Sequence, residues 1–296
     1  MVICVGEILA DMIGRANGGV TYYERRAGGA PFNVACGIAH FKGQAGFVGR
    51  VGDDAIGRWL AAYAAARGLA GLDIAVDRAR NTTLAFVELD EAGERTFSFY
   101  RKDTADAFID ADPADIAARA DIVHVGSLLL SSDRGRAYAD SLFDAAARAG
   151  KKVSFDMNYR AGLFPDPSVF RPYLGRADIV KLSSDEAALF GEPVAVARRL
   201  SRFKIVALTL GAQGSAMCID GGYETVPSVR VRPVDTTGAG DAFFAGLLTC
   251  LDGAADRSDG YVRRAFRFAN VCGALTACGK GAIDALPDPA AVAAYL

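Results

Sequence analysis

The sequence has no surplus of charge of either sign: 33 Lys and Arg stand against 35 Asp and Glu. General nucleic-acid binding usually brings a strongly basic balance, which is missing here. Histidine is scarce, with only His40 and His124, and the six cysteines (Cys4, Cys36, Cys218, Cys250, Cys272, Cys278) form no C-x-x-C pair. That spacing does not build a zinc site. Most of the cysteines sit among apolar residues, as reduced core cysteines of a cytosolic protein do. No run approaches the ~18 consecutive apolar residues of a transmembrane helix. The segment MVICVGEILADM has no basic stretch ahead of a signal-type apolar core. A soluble, cytoplasmic protein with no nucleic-acid or membrane partner is therefore expected. Internal repeats, low-complexity tracts and long linkers are also missing, so residues 1–296 read as one domain. With 51 % apolar and 23 % charged residues, the composition is that of a globular protein rather than a disordered or fibrous one.

What is present is an alternation. VICVG (2–6), IVHVGSLLL (122–130), KVSFDMN (152–158), DIVKLS (178–183) and IVALTLG (205–211) read as buried strands. Helical patterns occupy 32–42, 55–68 and 134–149, the last stopping at Gly150. Continuous apolar strands separated by helices predict an α/β fold whose parallel sheet is covered on both faces. Two stretches break the rhythm. Residues 12–27 and 82–101 alternate apolar and polar side chains, and the second reads as a hairpin turning at EAG (91–93). Alternation implies one buried face. These stretches predict a small antiparallel flap inserted into the body, its apolar side covering a ligand or a second subunit.

The most informative segment is DTTGAGDAFFAGLLTCL (235–251), a Gly-rich turn running into an apolar helix. Gly238, Ala239 and Gly240 let a ligand approach the backbone closely. The free N–H groups and dipole of the helix start then favour an anion such as a phosphate. A P-loop is excluded because no G-x-x-x-x-G-K-[ST] string occurs. The dinucleotide fingerprint G-x-G-x-x-G fails, since Phe243 stands at its last position. A bare helix cap, with Asp241 supporting the dipole, is the remaining alternative. Yet a carboxylate beside an anion site repels a phosphate and is a poor choice for mere binding. It makes sense as a base that takes the proton of an attacking hydroxyl, while the amides stabilise charge on the transferring phosphoryl group.

DTTGAGDAFFAG resembles the second signature of the ribokinase-like (PfkB) carbohydrate kinases. GGAPFNVACGIAHFKGQAGFVGRVGDDAIG (28–57) resembles the first, in the same order and with matching separation. GEILADMI and GGAPFNVA are similar to the fructokinase branch. The resemblance covers essentially the whole chain. It implies a three-layer αβα, Rossmann-like body with a β-sheet lid. It also implies ATP-dependent phosphorylation of a sugar CH₂OH, fructose first, with 2-keto-3-deoxygluconate or ribose as alternatives. A non-catalytic sugar or nucleotide sensor is the rival from another class, and it would need no base.

Carried over residue by residue, the resemblance makes Asp241 the general base and Gly238, Ala239 and Gly240 the anion hole. The sugar side is Asp11, Gly28, Gly29 and Asn33, with Arg101 and Arg160 as further contacts. Without the resemblance these read as a solvated Asp11, a turn at Gly28–Gly29, an N-cap at Asn33 and structural arginines. Asp156 and Asn158 stand at the same strand end as Arg160, where α/β folds bind ligands. The nucleotide side is Lys181, Ser183, Glu186, Thr209, Gly211, Gly214 and Asn270. Ser183 departs from the family's Asn. Gly211 and Gly214 also read as turn glycines and Asn270 as a helix-interior residue. Glu186 is expected to reach Mg²⁺ through water, because that ion keeps several waters. Asp235 and Thr237, with backbone groups around Thr276, Gly279 and Gly281, are the candidates for K⁺. The flap suggests a homodimer joined through the lid.

Overall fold

A computed structural model describes residues 1–89, 95–202, 204–255 and 258–296. Its strands are β1 Val2–Val5, β2 Leu9–Asn17, β3 Val20–Gly28, β4 Ala45–Gly52, β5 Gly71–Asp77, β6 Leu84–Leu89, β7 Arg95–Tyr100, β8 Ile122–Val125, β9 Lys152–Asp156, β10 Ile179–Ser183, β11 Ile205–Thr209, β12 Gly214–Ile219 and β13 Glu224–Pro227. Nine of them form one sheet in the order β13-β12-β11-β10-β9-β8-β1-β4-β5. From β11 to β5 every neighbouring pair is parallel, as the apolar runs predict. The edge pairs β11–β12 and β12–β13 are antiparallel, so the sheet is mixed. An antiparallel edge on an otherwise parallel sheet is common in folds of this class.

Alternation along β1 shows the layering. Val2 and Cys4 belong to the core with helices Ala30–His40, Ala239–Leu251 and Asp259–Thr276, while Ile3 and Val5 belong to the core with helix Asp133–Arg148. Successive side chains on a strand point to opposite faces, so the sheet is sandwiched between two helical layers. The cysteines are unpaired, with Cys278 exposed rather than in the core. Among the described residues no helix is long and apolar enough to cross a membrane.

The run IVHVGSLLL does not stay a strand. β8 ends at Val125, and Ser127–Ser131 form a 3-10 turn. The break is at Gly126, where a Cβ would lie 2.9 Å from both Glu7 Oε2 and Pro31 Cγ.

The flap is a separate four-stranded sheet, β3-β2-β6-β7. β2–β3 and β6–β7 are antiparallel hairpins, whereas β2 and β6 pair in parallel and join them. The EAG turn lies outside the described residues. The lid begins earlier than expected, at Leu9, so Asp11 sits on it.

Asp54 fixes the root of the lid. It caps helix Ala55–Ala65 by accepting from Gly57 N–H at 2.7 Å, and it accepts from Thr82 N–H at 2.7 Å and Thr82 Oγ1 at 3.0 Å just before β6. Burial works to raise its pKa, but these hydrogen bonds outweigh it and hold the carboxyl below its ordinary value. Asp54→Ala is expected to cost about 1–2 kcal/mol in a denaturant titration at neutral pH. A depressed folded pKa gives stability that is present above the unfolded pKa. It is lost as pH falls through the folded one, so the difference between the two proteins should shrink in acid.

Candidate active site

A cleft of about 850 Å³ lies between lid and body. Asp11, Gly29, Asn33, Arg160, Lys181, Asp235, Thr237, Gly238, Gly240 and Asp241 all border it, from five separate stretches of the chain. Asp11 comes from the lid, on the cleft-facing side of β2 with Leu9, Ile13 and Arg15, as a period of two requires. Gly28 must lack a side chain because a Cβ there would lie 2.3 Å from Asp11 Oδ2. Gly29, at φ 108°, is the N-cap of helix Ala30–His40, and a Cβ on it would meet the Glu7 carbonyl oxygen at 2.4 Å. That left-handed turn aims the first turn of the helix, with Asn33, into the cleft.

Gly238 starts helix Ala239–Leu251 at φ 74° with no side-chain cap. A Cβ on it would lie 2.5 Å from Ala282 Cα. Ala239 N–H turns back to the Thr236 carbonyl at 3.2 Å. The N–H groups of Gly240 and Asp241, in the first turn, have no partner within the helix by geometry. This is the anion-favouring end that the sequence predicts. Asp241 lies in that turn, and its Oδ2 accepts from Asn33 Nδ2 at 2.8 Å. Burial raises the pKa of Asp241, while the Asn33 hydrogen bond and the charges of Lys181 and Arg160 offset part of the rise.

Lys181 projects from β10 and is 7 % exposed. Its Nζ donates to both oxygens of Asp156, at 2.7 and 2.9 Å. Burial opposes its charge, but Asp156, Glu186 and Asp241 outweigh burial and raise its pKa. A Cβ on Gly240 would lie 3.3 Å from that ammonium. A charged amine therefore stands beside the open amides of the helix start, and the two together form a field that favours an anion. Asn158, at φ 38°, turns the chain after β9 so that Tyr159 N–H reaches Glu186 Oε1 at 2.7 Å.

The remaining predicted residues lie outside the cleft lining. Ser183 and Thr209 are register partners at the ends of β10 and β11, next to the turn of Gly211 and Gly214. Ser183 Oγ accepts from Glu186 N–H at 3.1 Å and Ser183 N–H donates to Glu186 Oε2 at 2.7 Å, a reciprocal helix cap. Serine thus fills the capping role for which Asn would also serve. Asn270 Nδ2 donates to the Val226 carbonyl at 2.8 Å, so its amide is spent on β13. Gly214 packs on the same residue, since a Cβ there would lie 2.3 Å from Val226 O. Arg101 is not brought into the cleft wall. Its side chain is 3 % exposed and held by Asp106 at 2.7 Å and by Ser131. Asp235 accepts from Thr237 N–H at 2.8 Å and Gly281 N–H at 2.9 Å, tying the loops that flank the helix start. Among the described residues no group of three or more His, Cys, Asp or Glu is placed to hold a metal.

The cleft also includes residues that the sequence reading passed over: Glu7, Arg15, Arg26, Phe99 and Lys280. Period two along the lid strands is the signal that reaches Arg15 and Arg26. Arg26 bridges lid and body, donating to the Lys280 carbonyl at 2.9 Å and meeting Asp284 at 3.3 Å.

Comparison with known proteins agrees with this geometry. Residues 1–289 match the family described as pfkB family carbohydrate kinase. A fructokinase of Klebsiella pneumoniae is 39 % identical over 272 residues, 88 % of each chain. A fructokinase of Vibrio alginolyticus is 35 % identical over 292 residues, 95 % of this chain and 94 % of its own. The crystal structure of a Xylella fastidiosa fructokinase with bound ATP superposes with a TM-score of 0.88 at 32 % identity, covering 99 % of this chain and 97 % of that one. A Vibrio cholerae O395 fructokinase double mutant, in a form with fructose, ADP and potassium ion bound, also gives 0.88 at 33 % identity over 100 % and 97 %. With its two signatures folded into one cleft, and near-full-length similarity on both counts, the chain belongs to the pfkB family of carbohydrate kinases.

Proposed function

We propose that the protein is an ATP-dependent fructokinase that moves the γ-phosphoryl group of ATP to a primary hydroxyl of the sugar. The observation that carries the reading is Asp241: a half-buried carboxyl in the first turn of helix Ala239–Leu251, held by Asn33 and flanked by Lys181. The similarity to fructokinases, one of them solved with ATP bound and another with fructose and ADP bound, supports the choice of acceptor.

The sugar lies under the lid between Asp11 and Asn33, whose carboxylate and amide suit vicinal hydroxyls. Asp241 takes the proton of the attacking hydroxyl, the oxygen bonds to the γ-phosphorus, and the bond to the β–γ bridging oxygen breaks to leave ADP. The open amides at the helix start and the ammonium of Lys181 meet the charge on the transferring oxygens. Lid closure keeps water from Asp241, which would otherwise hydrolyse ATP.

A divalent ion arriving with the nucleotide, magnesium in this reading, neutralises phosphate charge. Both oxygens of Glu186 already accept backbone N–H bonds, which fits contact with that ion through water rather than direct coordination. The loops joined by Asp235 fit a monovalent cation held mainly by carbonyl groups near Thr276, Gly279 and Gly281. A homodimer through the lid is supported by Tyr23, Phe86 and Tyr100, which form an aromatic row with ring centroids 5.1 and 5.0 Å apart. Tyr100 is 65 % exposed there. We place the enzyme in the cytoplasm, with the sugar and ATP as its small-molecule partners.

Asp241→Asn is expected to lower kcat by roughly 10²–10⁴-fold while ATP still binds, read by coupled ADP release and by nucleotide titration. Near-normal turnover would remove the assigned role. The base works ionised and its pKa is raised, so kcat/KM should fall in acid through a pKa above that of an ordinary aspartate. Asn33→Ala removes a hydrogen bond that favours the ionised form and should move that acid limb to higher pH. Tyr100→Glu puts charge on the outer lid face and should convert a sedimenting dimer into monomers; a wild-type protein that sediments as a monomer contradicts the dimer.

A further inference from the structure

Glu7, just after β1, holds a carboxyl group that the mechanism leaves unused. It is 1 % exposed, yet it borders the cleft beside Gly29, Ala30 and Asn33. Its Oε1 accepts from Ala30 N–H at 3.1 Å, doing for helix Ala30–His40 what the N-cap Gly29 has no side chain to do. Its Oε2 is buried and has no hydrogen-bond partner. Asn33 Oδ1, on the same first turn, is buried and unpartnered as well. Burial pushes the Glu7 pKa up to about 8, with Arg101 pulling it down and Asp106 pushing it up. Burial thus favours the protonated carboxyl, which can donate. A capping role accounts for Oε1 alone. It gives no reason for a second buried oxygen, packed against Gly126, to be left without a partner, an arrangement that is costly unless something fills it.

We propose that Glu7 is an acceptor-binding residue, its Oε2 sharing a hydrogen bond with a sugar hydroxyl other than the one Asp241 deprotonates. Asn33 Oδ1 accepts beside it, and the pair selects fully hydroxylated acceptors over deoxygenated ones. The inference rests on the fructokinase reading above. A site built to hydrogen-bond a hydroxyl discriminates against the analogue lacking it, because its own buried groups are then left unpaired.

The test sets wild type, Glu7→Gln and Glu7→Leu against fructose and its monodeoxy analogues. Glutamine keeps an acceptor for Ala30 N–H and a donor toward the cleft; leucine has neither. Wild type and Glu7→Gln should lose about tenfold or more in kcat/KM with at least one analogue. Glu7→Leu should raise the fructose KM by about the same factor, leave the ATP KM unchanged, and no longer distinguish fructose from that analogue. A purely structural Glu7 would leave the fructose-to-analogue ratio at its wild-type value, and that result overturns the proposal. Should the leucine variant not fold, a crystal of wild type with fructose decides. A sugar oxygen within about 3.2 Å of Oε2 supports the assignment. Only water, or nothing, at that oxygen ends it. Wild type that fails to phosphorylate fructose strikes the fructokinase reading instead, and so is told apart from a failure of Glu7 alone.

Discussion

The site depends on two helix starts meeting. Helices Ala30–His40 and Ala239–Leu251 come from opposite ends of the chain, and Asn33 of one reaches Asp241 of the other at 2.8 Å. The meeting requires the helices to pack closely, and Gly37 permits it. A Cβ on Gly37 would lie 2.6 Å from Ala245 Cβ, nearer than any real packing allows. A side chain there would pry the helices apart and separate amide from carboxylate. The backbone turns at Gly29 and Gly238, both with positive φ, then aim the two first turns at one space. The acceptor side and the phosphoryl side of the proposed reaction therefore share a single packing constraint, one helical turn from Asn33 and Asp241.

Around that junction the charges are crowded in a way that stability alone does not explain. Asp156 and Lys181 are buried, Asp241 is half-buried, and Glu186 acts on the same ammonium. Burying such groups costs more than a hydrophobic filling of the same volume, and a buried pair seldom repays that in stability. The arrangement is better understood as preparation. Asp156 orients the Lys181 ammonium next to Gly240, so in the proposed reaction positive charge would be in place before a phosphate arrives and would not have to be rearranged during transfer. Asp241, raised in pKa by the same burial, becomes a stronger base than an exposed aspartate.

How much of this was legible in the sequence follows from which physical signals are local. The helix at 239–251 and its anion-favouring start were readable because glycine spacing and apolar pattern are properties of a short segment. So was the lid, whose alternation distinguishes a half-covered sheet from the buried body strands. The break in IVHVGSLLL was not readable. Gly126 looks like any strand glycine until Glu7 and Pro31 are found against it. Arg101 stands in the position of a sugar contact by resemblance alone, yet Asp106 holds its side chain at 2.7 Å, outside the cleft lining. Asn270 is spent on Val226, a pairing 44 residues long that no local pattern announces. Glu7 lies in the segment GEILADMI, where nothing local marks it, because its empty oxygen exists only once the chain has folded.

The parallel pairing of β2 with β6 has a consequence for motion. It joins two hairpins that are far apart in sequence into one sheet, so any displacement of the lid would carry both hairpins together. Its roots are at Gly28–Gly29 and at Thr82, the latter held by Asp54 and by Gly52 N–H at 2.9 Å. Arg26 and Arg25 give it two further holds, on the Lys280 carbonyl and on the face of Trp59 at 4.4 Å. Asp11 rides on that sheet while Asn33 and Asp241 are fixed to the body. A ligand gripped by all three must bring lid and body to one relative position, and Trp59 is the chain's single tryptophan. The Arg25–Trp59 contact therefore sits where any lid displacement changes the environment of the one indole in the protein, making closure an optical event as well as a mechanical one.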